Sequence, residues 1–195
     1  MCNCCGLPFE YDVGNEALCG VCLFERPPYA KARAAFRYDE HSSKLVTRFK
    51  YSDQTHLARV YSVWLAKAAG DILANTDIIV PVPLHYFRFV QRRFNQSALL
   101  AQAISKKTLI KHRPDIIKRK RYTISQTGLT RSQRAKNVKG AFNISERAKK
   151  IIKGKNILLI DDVMTTGSTV EQCAKILLRS GAMQVNVLTL ARAIR

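Results

Sequence analysis

One stretch constrains this chain more than any other: NILLIDDVMTTGST, residues 156–169. Large aliphatic residues run into two adjacent aspartates, and a turn of hydroxyls around Gly167 follows. A short, unbroken apolar run reads as a strand buried on both faces, the situation of strands inside a parallel sheet. DIIVPVP (77–83) and QVNVLTLA (184–191) read the same way, and DIIK (115–118) reads as a further short strand. ARAAFRYD (32–39) alternates enough for a strand or hairpin. Helical segments fall between them at about 57–73, 96–106 and 168–180. In the first of these, Val60, Trp64 and Ala68 recur at spacing four beside Tyr61 and Leu65, so Trp64 is expected to anchor the core. Cys173, in the middle of the last helix, is also expected in the core. Strands alternating with helices predict an α/β fold, a parallel sheet with helices on both faces. Hydrophobic residues make up 47% of the 195, enough to pack such a fold.

The chemistry of the stretch follows from its place. In open α/β sheets, ligands bind beyond the carboxyl ends of the strands. N–H groups at the start of the next helix, with the hydroxyls of Thr165, Thr166, Ser168 and Thr169, suit a terminal phosphate, and Gly167 lets the backbone approach it closely. The turn lacks the lysine and the glycine spacing of a Walker A loop. Asp161 and Asp162 fit a ligand that carries a sugar as well as a phosphate. Adjacent carboxylates accept from vicinal ribose hydroxyls and favour a hydrated Mg²⁺ nearby. A sugar phosphate with a metal-bound pyrophosphate at its other end satisfies every group.

The first 28 residues are loop-like and cysteine-rich, and they end at Pro27–Pro28. Cys2 and Cys5 form one CxxC, and Cys19 and Cys22 another, the pattern of a tetrahedral Zn²⁺ site that holds together a segment with little core of its own. Cys4 competes with Cys5 as ligand, although a Cys-Gly follows Cys5 as in the second knuckle's CGVC. The chain has no charged-then-apolar leader and no apolar run near the roughly 18 residues that span a membrane. A cytoplasmic protein without membrane insertion is therefore expected, where paired cysteines hold metal more often than they form disulfides.

Charge is unevenly placed. The chain carries a formal +19, and between Arg88 and Lys155 there are 20 Lys and Arg against only Asp115 and Glu146. A basic middle between nearly balanced ends points to a polyanion partner, either nucleic acid or a heavily phosphorylated metabolite.

ILLIDDVMTTGST resembles the phosphoribosyl pyrophosphate (PRPP) motif of type I phosphoribosyltransferases, in which the acidic pair holds the ribose hydroxyls and the turn binds the 5′-phosphate. The resemblance extends along the chain. Cysteine knuckles, PVPLH (81–85), RRFNQSALLA (92–101), RYTISQTGL (121–129), RAKNVKGAF (134–142) and the PRPP motif occur in the order of the ComF family of competence proteins. With Cys2 directly after Met1, the cysteine segment looks shortened at its front against that family. The resemblance implies a zinc-binding segment over 1–28 and a type I phosphoribosyltransferase domain over 29–195. It implies PRPP contacts at Asp161, Asp162 and Thr165, Thr166, Gly167, Ser168 and Thr169. Arg88 and Arg92 then lie on the pyrophosphate side. Residues 119–134 match the mobile loop of the fold, with Lys118, Arg119, Lys120, Arg121, Arg131 and Arg134 as cations for nucleic acid. Where the family usually has glycine before FNQ this chain has Arg93, which either loosens the backbone approach there or adds an anion contact.

Two readings of function follow, with a third behind them. The first is a module that binds PRPP with Mg²⁺, handles single-stranded DNA and supports uptake of transforming DNA, a role the resemblance supplies. The second is a working transferase that displaces pyrophosphate from PRPP with a nitrogen nucleophile, for which the sequence spells out no acceptor pocket. The third is an adaptor whose zinc segment docks a DNA helicase or translocase. Tyr86, Phe87, Phe89, Phe94 and Tyr122 are interleaved with arginines as stacking platforms or as packing groups. His41, His56, His85 and His112 fall in no motif and receive no catalytic role.

Overall fold

The computed structural model describes residues 1–51, 54–84, 94–121 and 130–194. A parallel sheet has the strand order β1-β7-β6-β2-β3, built from β1 (Ala32–Tyr38), β2 (Ile78–Pro81), β3 (Lys111–His112), β6 (Asn156–Met164) and β7 (Gln184–Ala193). A separate antiparallel pair joins β4 (Lys118–Arg119) to β5 (Phe142–Asn143). The helices are α1 (Gly20–Phe24), α2 (Glu40–Tyr51), α3 (Leu57–Ala69), α4 (Gln96–Thr108), α5 (Arg131–Val138), α6 (Glu146–Ile152) and α7 (Ser168–Arg179).

The period of two along each strand sorts the aliphatic residues into two cores. Ile79, Leu158, Ile160, Leu188 and Leu190 meet Phe49, Tyr61, Leu65, Leu100 and Ile104 on one face. Ile78, Val80, Ile157, Leu159, Val185 and Val187 meet Ala148, Ile152, Cys173, Ala174 and Leu177 on the other. The unbroken apolar runs are thus explained: both faces of the central strands are covered, as expected for a parallel sheet. The buried cysteines of the first 22 residues pack into the second core, against Tyr29 and Ala32.

Three expectations change. Trp64 does not anchor the core: it is 41% exposed, with its ring edge-on to Phe36 at 6.0 Å. The buried face of α3 carries Ala58, Tyr61, Ser62, Leu65 and Ala69, and the series through Val60 and Trp64 lies one residue, about 100°, round the helix. The helix also stops at Ala69, because Gly70 at φ 53° turns the chain into a 3₁₀ turn, Gly70–Ile72. DIIK is not a strand of the main sheet. Its isoleucines are buried, but the outer strand is the preceding pair Lys111–His112, beside Ile78 and Ile79. Arg113 N–H donates to the Ile79 carbonyl at 2.9 Å, and Pro114, which has no N–H, ends the ladder there. The chain resumes pairing only at Lys118, in the antiparallel sheet.

Within the polar stretch 119–139, α5 is nucleated by a capping box: the Thr130 hydroxyl accepts from Gln133 N–H and the Gln133 side chain accepts from Thr130 N–H. No helix among the described residues is long and apolar enough to cross a membrane.

Candidate ligand site and metal centre

The sulfurs of Cys2, Cys5, Cys19 and Cys22 all lie within 4.8 Å of one another and all four residues are buried. Cys5 and Cys19 are 3.6 Å apart, close to the edge of about 3.8 Å that a tetrahedron with ~2.3 Å metal–sulfur bonds has. Cys5 N–H and Cys19 N–H both point at the Cys2 sulfur, at 3.5 and 3.3 Å. Burial alone would raise the Cys2 thiol, but these amides outweigh it and bring it down to about 6. The donor set fits a soft or borderline metal ion. Cys4 is outside the group; its thiol faces the Tyr29 carbonyl at 3.9 Å, and burial holds its pKa up.

Gly6 explains why the first knuckle ends in glycine. Its φ is +70°, and a Cβ there would sit 2.4 Å from the Ala32 carbonyl oxygen. That close approach docks the knuckle on β1: Ala32 N–H donates to Cys4 O at 2.7 Å and Arg33 Nη1 to Asn3 O at 3.0 Å. From β7, Arg192 donates to the Cys5 carbonyl through Nη1 and lies 3.5 Å from its sulfur through Nη2.

At the carboxyl end of β6 the acidic pair is held by residues from outside the motif. Asp161 is 9% exposed; its Oδ1 accepts from Ser97 Oγ and from Asp162 N–H, both at 2.9 Å. Burial first, then the charge of Asp162, pushes its carboxyl up to about 7 despite those donors and Lys50. Asp162 pairs with Lys50 Nζ at 3.1 Å and accepts from Val163 N–H at 2.7 Å.

The residues Asn95, Gln96 and Ser97 tie three elements together at this point. Asn95 caps α4, accepting from Ser97 N–H, and its Nδ2 donates to Val82 O at 3.0 Å. Gln96 Nε2 donates to Lys50 O at 3.2 Å, and Ser97 reaches Asp161. Lys50 and Ser97 were not singled out in the sequence. The asparagine–serine cap at the start of α4 was the available signal for Ser97; for Lys50, near the end of α2, there was none.

The hydroxyl turn follows as expected. Gly167 sits at φ 83° at the N-cap of α7, and no side chain caps that helix. A Cβ on Gly167 would meet Glu171 Oε1 and Met164 Cε, each at 3.2 Å. Thr166 and Ser168 hydroxyls are 3.0 Å apart, and Arg134 of α5 donates to Thr165 Oγ1 at 2.6 Å. Asp161, Thr165, Gly167, Ser168 and Thr169 line one notch. Uncapped amides, hydroxyls and a buried acid therefore meet within one turn of chain, an arrangement that can hold phosphate at one end and hydroxyl groups at the other.

The comparisons follow the same lines. The Phosphoribosyl transferase domain family matches residues 95–195, which runs from Asn95 through the notch to the end of β7. Competence protein F of Haemophilus influenzae is 34% identical over 98% of this chain and 84% of its own. The chain belongs to the ComF family. DNA utilization protein YhgH of Escherichia coli K12, 34% identical over 100% of this chain and 85% of its own, and Competence protein ComFC of Bacillus subtilis, 26% identical over 99% and 78%, are similar over the same span.

In this ComF-family chain the remaining site residues divide. Arg88 and Arg92, with His85, Tyr86, Phe87, Phe89, Arg93 and Tyr122, lie outside the described residues. Lys118, in β4, and Lys120, just after it, are exposed. Arg119 stacks over the Phe142 ring at 5.3 Å. Arg121 Nη2 donates to the carbonyls of Asn137 and Lys139, at 2.9 and 2.8 Å, so it closes the end of α5. Arg131 opens that helix. Among the loop cations, Arg134 reaches the notch through its hydrogen bond to Thr165.

Between the cysteine segment and the turn lies a cavity of about 290 Å³, walled by Pro27, Pro28, Tyr29, Met164, Thr165 and Arg192.

Proposed function

We propose that this ComF-family protein binds PRPP with Mg²⁺ at Asp161, Asp162 and the turn Thr165 to Thr169, binds single-stranded DNA, and supports uptake of transforming DNA in the cytoplasm. Cys2, Cys5, Cys19 and Cys22 hold one structural Zn²⁺. The observation that carries the reading is the acidic pair at the end of β6, Asp161 buried and Asp162 half-buried, followed at once by an uncapped helix start. Asp161 and Asp162 accept the ribose hydroxyls; the amides and hydroxyls of the turn receive the 5′-phosphate. Mg²⁺ supplies positive charge for the pyrophosphate, for which the family resemblance also offers Arg88 and Arg92. Within the chain, Lys50 already offsets one carboxylate, and Ser97 orients the other. Replacing both aspartates by alanine should lower PRPP affinity far more than inorganic phosphate affinity; equal losses mean the acids only support the fold.

The DNA part rests on the basic middle of the chain and on relatives named for competence and DNA utilization. Affinity for a single strand should fall with salt at a log–log slope of about −0.7 per phosphate contact. Salt-insensitive binding dismisses the electrostatic site. If the loop cations serve both anions, each ligand weakens the other equally; a DNA titration with and without PRPP·Mg²⁺ reads the sign.

The cavity beside the turn favours a second reading, a transferase whose nitrogen acceptor sits between Tyr29 and Met164. Its test is pyrophosphate release from PRPP with a panel of bases. Release above that of an Asp161→Asn control supports transfer, and none with any base rejects it for that panel.

A further inference from the structure

The outer side of α7 carries a feature that neither the motif nor the acidic pair uses. The inner side of that helix is core, with Val170, Cys173, Ala174 and Leu177 buried. Its outer side presents Gln172, Lys175, Ile176 and Arg179, spaced three, four and seven along one stripe. Facing the stripe are Lys139, Gly140 and Phe142, where the chain leaves α5 and enters β5. Together they line a groove of about 420 Å³.

Three properties of the groove point to one kind of occupant. No carboxylate lines it, and among the described residues Lys139, Lys175 and Arg179 make no ion pair. A row of cations with no carboxylate in its lining attracts a polyanion. Lys175 and Arg179 are separated by about 6 Å along the helix axis, a spacing that two neighbouring phosphates of an extended strand can meet. The groove floor holds apolar surface from Ile176 and Phe142, with room beside Gly140, where a Cβ would meet nothing within 4 Å. A duplex displays its phosphates on a rigid cylinder and would touch only the rim. A single strand can lay its backbone inside.

We propose that this groove is a track for single-stranded DNA, running along α7 away from the phosphate turn and separate from the notch at Asp161. The assignment rests on the DNA-binding reading above and gives it a place. Because the groove shares no lining residue with the notch, its contacts survive when PRPP occupies the turn. Lys175 also lines the cavity beside the cysteine segment, so the track leads toward the cysteine cluster.

The test is a salt titration of a fluorescent single-stranded oligonucleotide against the wild-type protein and the double variant Lys175→Gln, Arg179→Gln, each with and without saturating PRPP·Mg²⁺. Loss of two phosphate contacts should flatten the slope by about 1.4 and lower affinity roughly 20-fold at 0.1 M salt. The same difference should persist with PRPP present. Both side chains lie off the core, so an unchanged melting temperature and metal content should accompany the loss. The charge-keeping pair Lys175→Arg, Arg179→Lys should restore the slope, and Lys139→Gln alone should flatten it by about 0.7. Wild-type binding with an unaltered slope in the double variant overturns the groove. So does a difference that PRPP abolishes. Equal binding of a duplex, lost in the same variants, overturns the choice of a single strand. A wild-type protein that binds no oligonucleotide rejects instead the reading on which the groove depends.

Discussion

Replacing Asp161 by asparagine should make the protein more stable and less able to bind PRPP. The carboxyl is buried beside Asp162, and its pKa in the folded chain is pushed up to about 7, burial being the larger cause and the neighbouring charge the smaller. In the unfolded chain it returns to roughly 3.9. The folded state therefore keeps a proton that the unfolded state gives up. Its contribution is fully present below about pH 4 and is lost as pH rises through 7. The full cost of ionising the group in place is about 4 kcal/mol, and the part that develops between pH 5.5 and 8 is about 2 kcal/mol. Asparagine keeps the oxygen that accepts from Ser97 Oγ and Asp162 N–H and carries no charge. Urea unfolding of both proteins at pH 5.5 and pH 8 gives the comparison, since the cysteine cluster is common to them and its contribution cancels. The variant should lead at both pH values, and its lead should widen by about 2 kcal/mol at the higher one. A lead that does not change with pH, or a variant less stable at pH 8, would refute the argument that desolvation sets the state of this acid.

Other substitutions separate the parts of the site. Lys50→Ala leaves the half-buried Asp162 carboxylate without its cation and should cost about 2 kcal/mol in urea unfolding, while Lys50→Arg should cost little. Gly167→Ala forces a side chain into the left-handed region, at about 1–2 kcal/mol, and against Glu171 and Met164; phosphate and PRPP affinities measured by calorimetry should fall together. Protein purified without a tag should contain about one zinc per chain by metal analysis. Chelation should expose the thiols of the first 22 residues to a chromogenic reagent, while Cys173, fully buried in α7, stays unreactive until global unfolding.

The parts of this fold that were legible in the sequence are those whose chemistry is contiguous. The run from Ile157 to Ile160 declares a doubly buried strand, and the turn after it declares a helix start, because one stretch of chain supplies every group. The two cysteine pairs are legible for the same reason. Ser97 and Lys50 are not, since their importance comes from lying against Asp161 and Asp162, which only the packing of α2 and α4 on the sheet creates. Strand β3 is too short for periodicity to register, and its identity depends on Ile78 and Ile79 offering it an edge. Trp64 was misplaced because the spacing-four series through Val60 and Ala68 suggested the inner face of α3, whereas the buried face is the neighbouring one through Tyr61 and Leu65. Helix α5 had a readable signal in its threonine–glutamine capping pair, hidden inside a polar run.

The pairing of β1 carries a consequence for how the chain is made. This is the first strand in the sequence, yet its partner in the sheet is β7, the last, with Ala32 opposite Val187 and Tyr38 opposite Ala193. During synthesis the cysteine knuckles and β1 emerge well before the strand that receives them. If the cluster takes a metal, its thiols can capture it as soon as Cys22 is free, since all four cysteines lie within that first stretch. The knuckle's anchor on Arg192 and the edge of the sheet form only when the end of the chain arrives. Closing a loop of this length is entropically costly and slow. A metal acquired early would keep the waiting segment compact through the interval, acting first as a holding device for a nascent chain and only afterwards as part of a finished wall.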